Sequence, residues 1–120
     1  MRGIRGAITV KANEKKQILK NTKLLIKKII DENNIKNEEI VSIIFTATSD
    51  LDKEYPAVAA RKLGFVQIPL MCCQEMFVKD SLEKCIRILM HINRDCNLEE
   101  INHIYLKKAK KLRPDLINHD

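Results

Sequence analysis

The sequence contains few aromatic residues, and its cysteines and histidines are not spaced as metal ligands. Aromatic side chains make up 4% of the 120 residues, too few for the stacking surface by which many proteins bind single-stranded nucleic acid. The four cysteines include no C-x-x-C pair and form no Cys/His cluster of the zinc type. We therefore expect free thiols, no metal site of the zinc type and no stacking platform for single-stranded nucleic acid.

Long apolar runs and several common catalytic motifs are also missing. No run approaches the roughly 18–20 apolar residues that span a bilayer. The N-terminal "MRGIRGAITV" has Gly and Arg where a signal peptide needs an apolar segment. There is no G-x-G-x-x-G, no Walker loop and no identifiable Ser/His/Asp arrangement, so a nucleotide site and serine-hydrolase chemistry are unsupported. We expect a cytoplasmic protein that does not bind membranes.

Positive charge, by contrast, is abundant. The formal charge is +6 in a composition that is 45% hydrophobic and 32% charged, which is typical of a globular chain, here one domain over residues 1–120. The excess indicates either an anionic partner or solubility alone. The basic run "KKAKKLRP" at 107–114 could bind phosphates, although it is not interleaved with aromatic residues.

Hydrophobic periodicity predicts four strands and three helices in the order βαβαβαβ, a sheet covered by helices on one side. Pro56 suits the first turn of the middle helix and Gly64 its left-handed end. Asp80 and Glu83 have the spacing of a capping box for the last helix. The predicted strands are 3–10, 41–48, 65–72 and 103–112; the predicted helices are 13–33, one within 49–64, and 80–92; short helical turns are predicted at 37–40 and 97–101.

Three charged residues stand out when each is considered alone. Arg87 lies off the apolar stripe of the predicted helix 80–92, which indicates a solvated arginine. Arg5 lies between two glycines in a predicted core strand, where a charge needs a partner or a ligand. Glu75 follows the apolar strand of "VQIPLMCCQEM" and could begin a helix or belong to a site.

Four separated segments, taken together, resemble one family. They are "RGIRGAITV", "TATSDLDKEYPAVAAR", "PLMCCQEM" with "LEKCIR" after it, and "HIYLKKAKKLRPDL". In this order they resemble the monofunctional chorismate mutases of the AroH class, the Bacillus type, over about residues 2–116. The resemblance implies an isomerase that converts chorismate to prephenate by a Claisen rearrangement, toward phenylalanine and tyrosine. It also implies an α+β fold, a mixed sheet flanked by helices, and a homotrimer with a barrel-like core and active sites between subunits. No cofactor, metal, covalent intermediate or nucleic-acid partner is expected.

The resemblance also implies roles for individual residues. Arg5 matches the arginine that binds a substrate carboxylate, and Tyr105 matches the tyrosine that assists it. Arg87 matches the arginine at the ether oxygen, while Glu75 and Cys72 match the pair that hydrogen-bonds the ring hydroxyl. Positions that line the walls and mouth of the same pocket are Tyr55, Ala57, Arg61, Leu70, Met71, Leu112 and Arg113.

The wall and mouth positions come from two sources in the family. Tyr55, Ala57 and Arg61 match residues supplied by the neighbouring subunit, whereas Leu112 and Arg113 begin a mobile tail that closes over the pocket. Tyr55 replaces a familiar phenylalanine, and Val58 replaces a lysine of the Bacillus-type pattern, which leaves Arg61 as the outer cation.

Two other hypotheses compete with this interpretation. One is a trimeric module that binds nucleic acid or small anions without catalysis, for which the basic run is the main support. The other is an inactive paralogue, which the matching inner-site residues disfavour.

Within the resemblance, alternation along the third strand places Leu70 and Cys72 on one face and Cys73 on the other. We expect the end of this strand to offer the Cys72 thiol and the Glu75 carboxylate to a ligand hydroxyl, and Cys73 to be a packing residue.

Overall fold

The structure, a computed structural model, describes residues 1–116. Residues 117–120 of the expected domain, which include His119, therefore lie outside the described part. Within residues 1–116, no helix is long and apolar enough to cross a membrane.

A five-stranded mixed sheet in the order β3-β2-β4-β1-β5 forms the centre of the molecule. The central strand β4 is antiparallel to β1 and β2, whereas β3 runs parallel to β2 and β5 runs parallel to β1. The mixed sheet with two helices confirms the expected fold class. The strands are β1 (Arg2–Thr9), β2 (Ile40–Ala47), β3 (Leu70–Gln74), β4 (Cys85–Ile92) and β5 (Ile104–Leu106); the helices are α1 (Lys15–Asn33) and α2 (Ala57–Lys62). Four short 3₁₀ helices cover Asn37–Glu39, Leu98–Glu100, Lys107–Lys111 and Pro114–Leu116.

The main core lies between the sheet and the two helices. The expected stripe of α1 is buried, with Ile18, Leu25, Ile26 and Ile29 fully inaccessible to solvent. The helix lies close to β1 at Gly6, where an added Cβ would be 2.7 Å from Ile29 Cδ1. Burial of this apolar face, rather than helix propensity, is what stabilises α1.

The predictions for the α2 region are confirmed. Pro56 immediately precedes the helix, and Gly64 follows it with φ of 101°, a conformation that glycine adopts without a side-chain penalty. Ala57, Ala59 and Ala60 are buried, so the helix can pack closely on α1.

The prediction of a helix over 80–92 is wrong, because residues 85–92 form the central strand β4. Ile86, Ile88, Met90 and Ile92 face the core, whereas Arg87 and the intervening residues face the other side. This alternation has a period of two. The apolar Leu89 on the outer face also fits the apolar stripe of a helix, and for this reason the segment was predicted to be helical. Asp80 and Glu83 do not start a helix, and Asp80 has φ of 65°. The element order is therefore βαβαβββ.

Two other predicted strands are shifted or shortened. The third strand is Leu70–Gln74 rather than 65–72, since the chain turns after Gly64 before it pairs with β2. The fourth predicted strand, 103–112, ends at Leu106, because Lys107 adopts φ of 57° and starts a 3₁₀ helix. This basic 3₁₀ helix folds back on the face of the sheet opposite α1 and α2.

A small second core covers that opposite face. Ala7, Cys85, Tyr105 and Ala109 are buried there, with Leu82 and Leu112 packed against them. Ala109 is the centre of the "KKAKK" run and is completely buried, so this run is a packed element with lysines around it.

Candidate active site

A cavity of about 380 Å³ opens on the face of the sheet opposite the helices. Strand register explains its composition, because Thr46, Arg87, Ala7 and Tyr105 are successive partners across β2, β4, β1 and β5. Partners in register present their side chains on the same face. Six of the expected site residues line this cavity: Arg5, Glu75, Arg87, Tyr105, Leu112 and Arg113.

Arg87 and Glu75 form an ion pair at the centre of this cavity. The Arg87 Nε atom is 3.3 Å from Glu75 Oε2, and the Thr46 hydroxyl donates a hydrogen bond of 2.7 Å to the same oxygen. The Glu75 amide also donates to the Ala47 carbonyl at 2.9 Å, so the chain is fixed just beyond β3. Glu75 is thus a fixed carboxylate whose Oε2 contacts both Arg87 and Thr46, and Arg87 also interacts with the Cys85 thiol.

Arg5 supplies a second cation from β1. Its backbone amide donates to His103 Nδ1 at 2.9 Å, and its guanidinium has no ion-pair partner within residues 1–116. Burial, together with the charges of Arg5 and Arg113, lowers the pKa of His103, so the imidazole is neutral near pH 7 and can accept this hydrogen bond. The hydrogen bond from Arg113 and, to a smaller extent, the charge of Arg5 lower the pKa of the Asp115 carboxyl, so this carboxylate partly balances the Arg5 guanidinium that lines the cavity.

Arg113 closes one side of the cavity and is tied to Asp115. Its Nε and Nη2 atoms donate to the two carboxylate oxygens of Asp115 at 3.1 and 2.9 Å. Leu112 precedes it and packs on the buried Tyr105. The start of the C-terminal segment therefore forms a wall of the cavity.

The other six expected residues lie outside this cavity. Cys72 is paired with the buried Phe45, so its side chain lies on the helix face of the sheet, away from Arg87 and Glu75. Leu70 shares that face, as expected, and both residues pack partly against the main core. One chain therefore does not bring the Cys72 thiol and the Glu75 carboxylate to the same ligand. Cys73 is exposed, so it is not a packing residue in the chain by itself.

Cys72 lines a second cavity of about 460 Å³ beside the ends of β2 and β3, and Tyr55 lines this cavity as well. Burial raises the pKa of the Cys72 thiol, against smaller opposing effects of the Ala57 backbone and the Arg61 charge. Cys72 is therefore a neutral thiol near pH 7, suited to hydrogen bonding rather than to nucleophilic attack. Arg61 and Met71 are exposed, and Ala57 is buried at the start of α2.

Sequence reasoning missed five residues of the first cavity, which are Gly6, Ile44, Thr46, Ile88 and Leu89. Thr46 holds Glu75, while Ile44 and Leu89 form part of the cavity lining. Alternation in "VSIIFTAT" places Ile44 and Thr46 on one face, and this pattern could have identified them. Leu89 was not recognised as a cavity residue, because its segment was predicted to be a helix rather than a strand. Among residues 1–116, no group of His, Cys, Asp and Glu side chains is arranged to hold a metal ion.

Comparisons with known proteins agree on one family. A family model described as chorismate mutase type I matches residues 1–116. "Chorismate mutase AroH" of Bacillus subtilis (strain 168) is 46% identical over 97% of this chain and 92% of its own length. The Thermus thermophilus protein of the same name is 42% identical over 97% of this chain and 96% of its own length. A solved structure of chorismate mutase from Clostridium thermocellum matches with a TM-score of 0.90 and 45% identity, and covers 92% of this chain and 99% of that one.

Proposed function

The chain belongs to the chorismate mutase type I family, and from that premise we propose how its residues convert chorismate to prephenate. The observation that carries the proposal is the convergence of Arg5, Arg87 and Arg113 with Glu75 and Tyr105 in one cavity. Chorismate is a dianion, and the cavity offers it the guanidinium groups of Arg5 and Arg87, with Arg113, which is also paired with Asp115, at its wall.

The reaction itself decides what the protein must supply. It is unimolecular: one C–O bond breaks while one C–C bond forms, and no proton is transferred. An enzyme can hold the flexible substrate in its compact chair-like conformer and can stabilise the negative charge that develops on the ether oxygen. Fixed cations and hydrogen-bond donors are sufficient for both tasks.

Arg87 is the residue we assign to the ether oxygen. A guanidinium stays protonated and donates from a rigid planar fork, so it can be preorganised for a charge that appears only in the transition state. Its Nε atom faces Glu75 Oε2, which fixes the plane of the group, and we assign the contact with the ether oxygen to its terminal nitrogens.

Arg5 and Glu75 have binding roles in this scheme. Arg5 binds a carboxylate of the substrate, with Tyr105 beside it, because its guanidinium lines the cavity without an ion-pair partner within residues 1–116. Glu75, held by Thr46, accepts a hydrogen bond from the ring hydroxyl and orients it; it does not act as a base. Arg113 and Leu112 lie at the wall where the C-terminal segment can cover the bound substrate.

The remaining substrate-binding residues complete the site only if a second chain supplies them. We propose that Tyr55, Ala57, Arg61, Leu70, Met71 and Cys72 of one subunit face the arginine cavity of the next, in a homotrimer. The placement of these residues outside the arginine cavity of their own chain supports this arrangement. Exposed apolar side chains also support it: Met76 and Phe77 are 79% and 78% exposed, with Met71, Val66 and Val78 exposed as well.

Incubation with chorismate tests the proposed activity directly. The absorbance of chorismate in the ultraviolet should decay as prephenate forms, and it should decay at the same rate after exhaustive treatment with a chelator. Light scattering should give about three times the mass of the chain, as expected for a closed trimer. A protein that binds chorismate without consuming it would support the anion-binding module instead.

A further inference from the structure

A groove of about 970 Å³, lined by five lysines, lies beside the arginine cavity. We call it the lysine groove; its lysines are Lys11, Lys84, Lys107, Lys108 and Lys111. They come from three separate parts of the chain, the end of β1, the segment before β4 and the basic 3₁₀ helix. The fold thus brings together charges that are far apart in the sequence.

The charges of this groove are not compensated. None of the five lysines forms an ion pair within the described 116 residues, whereas Lys15 and Lys28 on α1 pair with Glu54 and Glu32. Asp80 and Glu83 are the acidic residues that line the groove, which leaves an excess of three positive charges. Ammonium groups that line one groove repel each other, and an anion bound in the groove would offset that repulsion.

The groove and the arginine cavity share a wall. Leu112 lines both of them, and Arg113 follows it on the cavity side. The basic 3₁₀ helix directly follows Tyr105, with Lys107, Lys108 and Lys111 turned to the groove and Ala109 buried beneath. A positive surface therefore continues from the groove, over Leu112, to the guanidinium groups of the site.

We infer that the lysine groove is an accessory anion site that attracts the dianionic substrate and passes it over Leu112 into the arginine cavity. This inference rests on the proposed function, since it takes the substrate to be the dicarboxylate of that reaction. Clefts lined by charge of one sign raise the local concentration of an oppositely charged ligand and its association rate, by an effect that salt screens. The groove lysines act on capture and not on the chemical step.

Two triple variants of equal charge change test the inference. The groove variant is Lys11→Gln/Lys108→Gln/Lys111→Gln, and the control is Lys16→Gln/Lys20→Gln/Lys27→Gln on the exposed face of α1. The measured quantity is kcat/KM for chorismate, from about 10 mM to about 1 M sodium chloride, where the Debye length falls from about 30 to about 3 Å. Because kcat/KM compares the transition state with free enzyme and free substrate, it falls both when association is slower and when the field of the lysines at the cavity is weaker.

The expected result is specific to salt and to position. At low salt, kcat/KM of the groove variant should fall about three- to tenfold below wild type, with kcat unchanged. The kcat/KM values of the groove variant and of wild type should converge at high salt. The control variant should have the kcat/KM of wild type at every salt concentration. If the groove variant tracked the control, or if its loss persisted at high salt, the inference would be wrong. Absence of turnover by the wild type at every salt concentration would instead overturn the proposed function, and the inference with it.

Discussion

At the scale of single residues, Arg87 and Arg5 differ in when their partner carries charge. In the proposed mechanism, the ether oxygen beside Arg87 becomes negative only as its bond breaks, whereas the carboxylate beside Arg5 is negative throughout. Arg87→Ala should therefore lower kcat about 100- to 1000-fold, the loss of about 2.7–4 kcal/mol that follows removal of one preorganised donor in other enzymes, with a smaller effect on KM. Arg5→Ala should act mainly on KM.

Steady-state kinetics on the two variants measures this contrast, with circular dichroism as the check that both are folded. Arg87→Lys is the matched control for charge: it should recover only part of kcat, since an ammonium group cannot reproduce the fork. Turnover by Arg87→Ala within a few-fold of wild type would show that Arg87 is a solvated residue after all.

Arg87 also shows why local sequence patterns did not identify the site. On a helix, Arg87 lies off the apolar stripe and looks solvated; on a strand, alternation turns it to the cavity. The error was one of period, and "CIRILMHI" fits both periods because Leu89 is apolar on the outer face. Only the four family segments placed Arg87 in a site, since they did not depend on the secondary structure assigned to it.

At the scale of elements, the distance between α1 and β1 depends on Gly6. An added Cβ would lie 2.7 Å from Ile29 Cδ1 and 3.2 Å from Leu25 Cδ1, in a fully buried layer. Gly6→Ala should therefore lower the free energy of unfolding by about 1–3 kcal/mol, the usual cost of overpacking. Gly3→Ala is the control on the same strand, because its nearest contact would be an ordinary 3.5 Å.

Urea denaturation of the two glycine variants gives both values. Gly3→Ala should stay within about 0.5 kcal/mol of wild type, as surface substitutions usually do. Equal stabilities of the two variants would mean that the helix and strand are not held at the distance described.

The C-terminal end of α1 is connected to β2 by Arg94. Its guanidinium donates to the Asn33 and Asn34 carbonyls and forms an ion pair of 2.8 Å with Glu39, just before β2. The hydrogen bond from Arg94 is the largest cause that lowers the pKa of Glu39 from 4.5 to about 2. A pKa that folding lowers contributes stability above the ordinary value, and this contribution is lost as pH falls through the folded value.

Glu39→Gln should therefore be less stable than wild type above pH 5, and the difference should shrink between about pH 4.5 and pH 2. Glu38→Gln, at the neighbouring exposed position, removes the same charge without this partner and is the matched control. Urea denaturation at a series of pH values measures both differences. A Glu39→Gln difference that did not depend on pH would leave the ion pair without a role in stability.

Local sequence patterns predicted the two helices but not the end of β5. The α1 stripe, Pro56 and Gly64 were sufficient for the two helices, since amphipathic periodicity and helix ends are local signals. The end of β5 was not predictable in this way, because it depends on the positive φ of Lys107 and on the burial of Ala109 against Ala7. Those are tertiary contacts, and "KKAKK" gives no local sign of them.

At the scale of the whole molecule, the family residues fall into two groups on different surfaces of one chain. Arg87, Glu75 and Arg5 line the cavity opposite the helices, whereas Cys72 packs on the helix side and Arg61 is exposed on α2. The sequence could suggest that both groups serve one substrate, but only the register of β2, β3 and β4 shows that they cannot meet within one chain. We propose that a second subunit supplies the groups that one chain cannot bring to the cavity.

Complementation between two inactive variants tests that claim most directly. Arg87→Ala lacks a group of the cavity, and Arg61→Glu reverses the charge on the surface proposed to face the cavity of the next subunit. Each variant alone should have little activity. When the two are co-expressed in equal amounts and purified together, random assembly should leave about a quarter of the interfaces with both wild-type groups. The mixed trimers should therefore show about a quarter of wild-type kcat per chain. Mixed trimers no more active than the separate variants would mean that neighbouring subunits do not share the site.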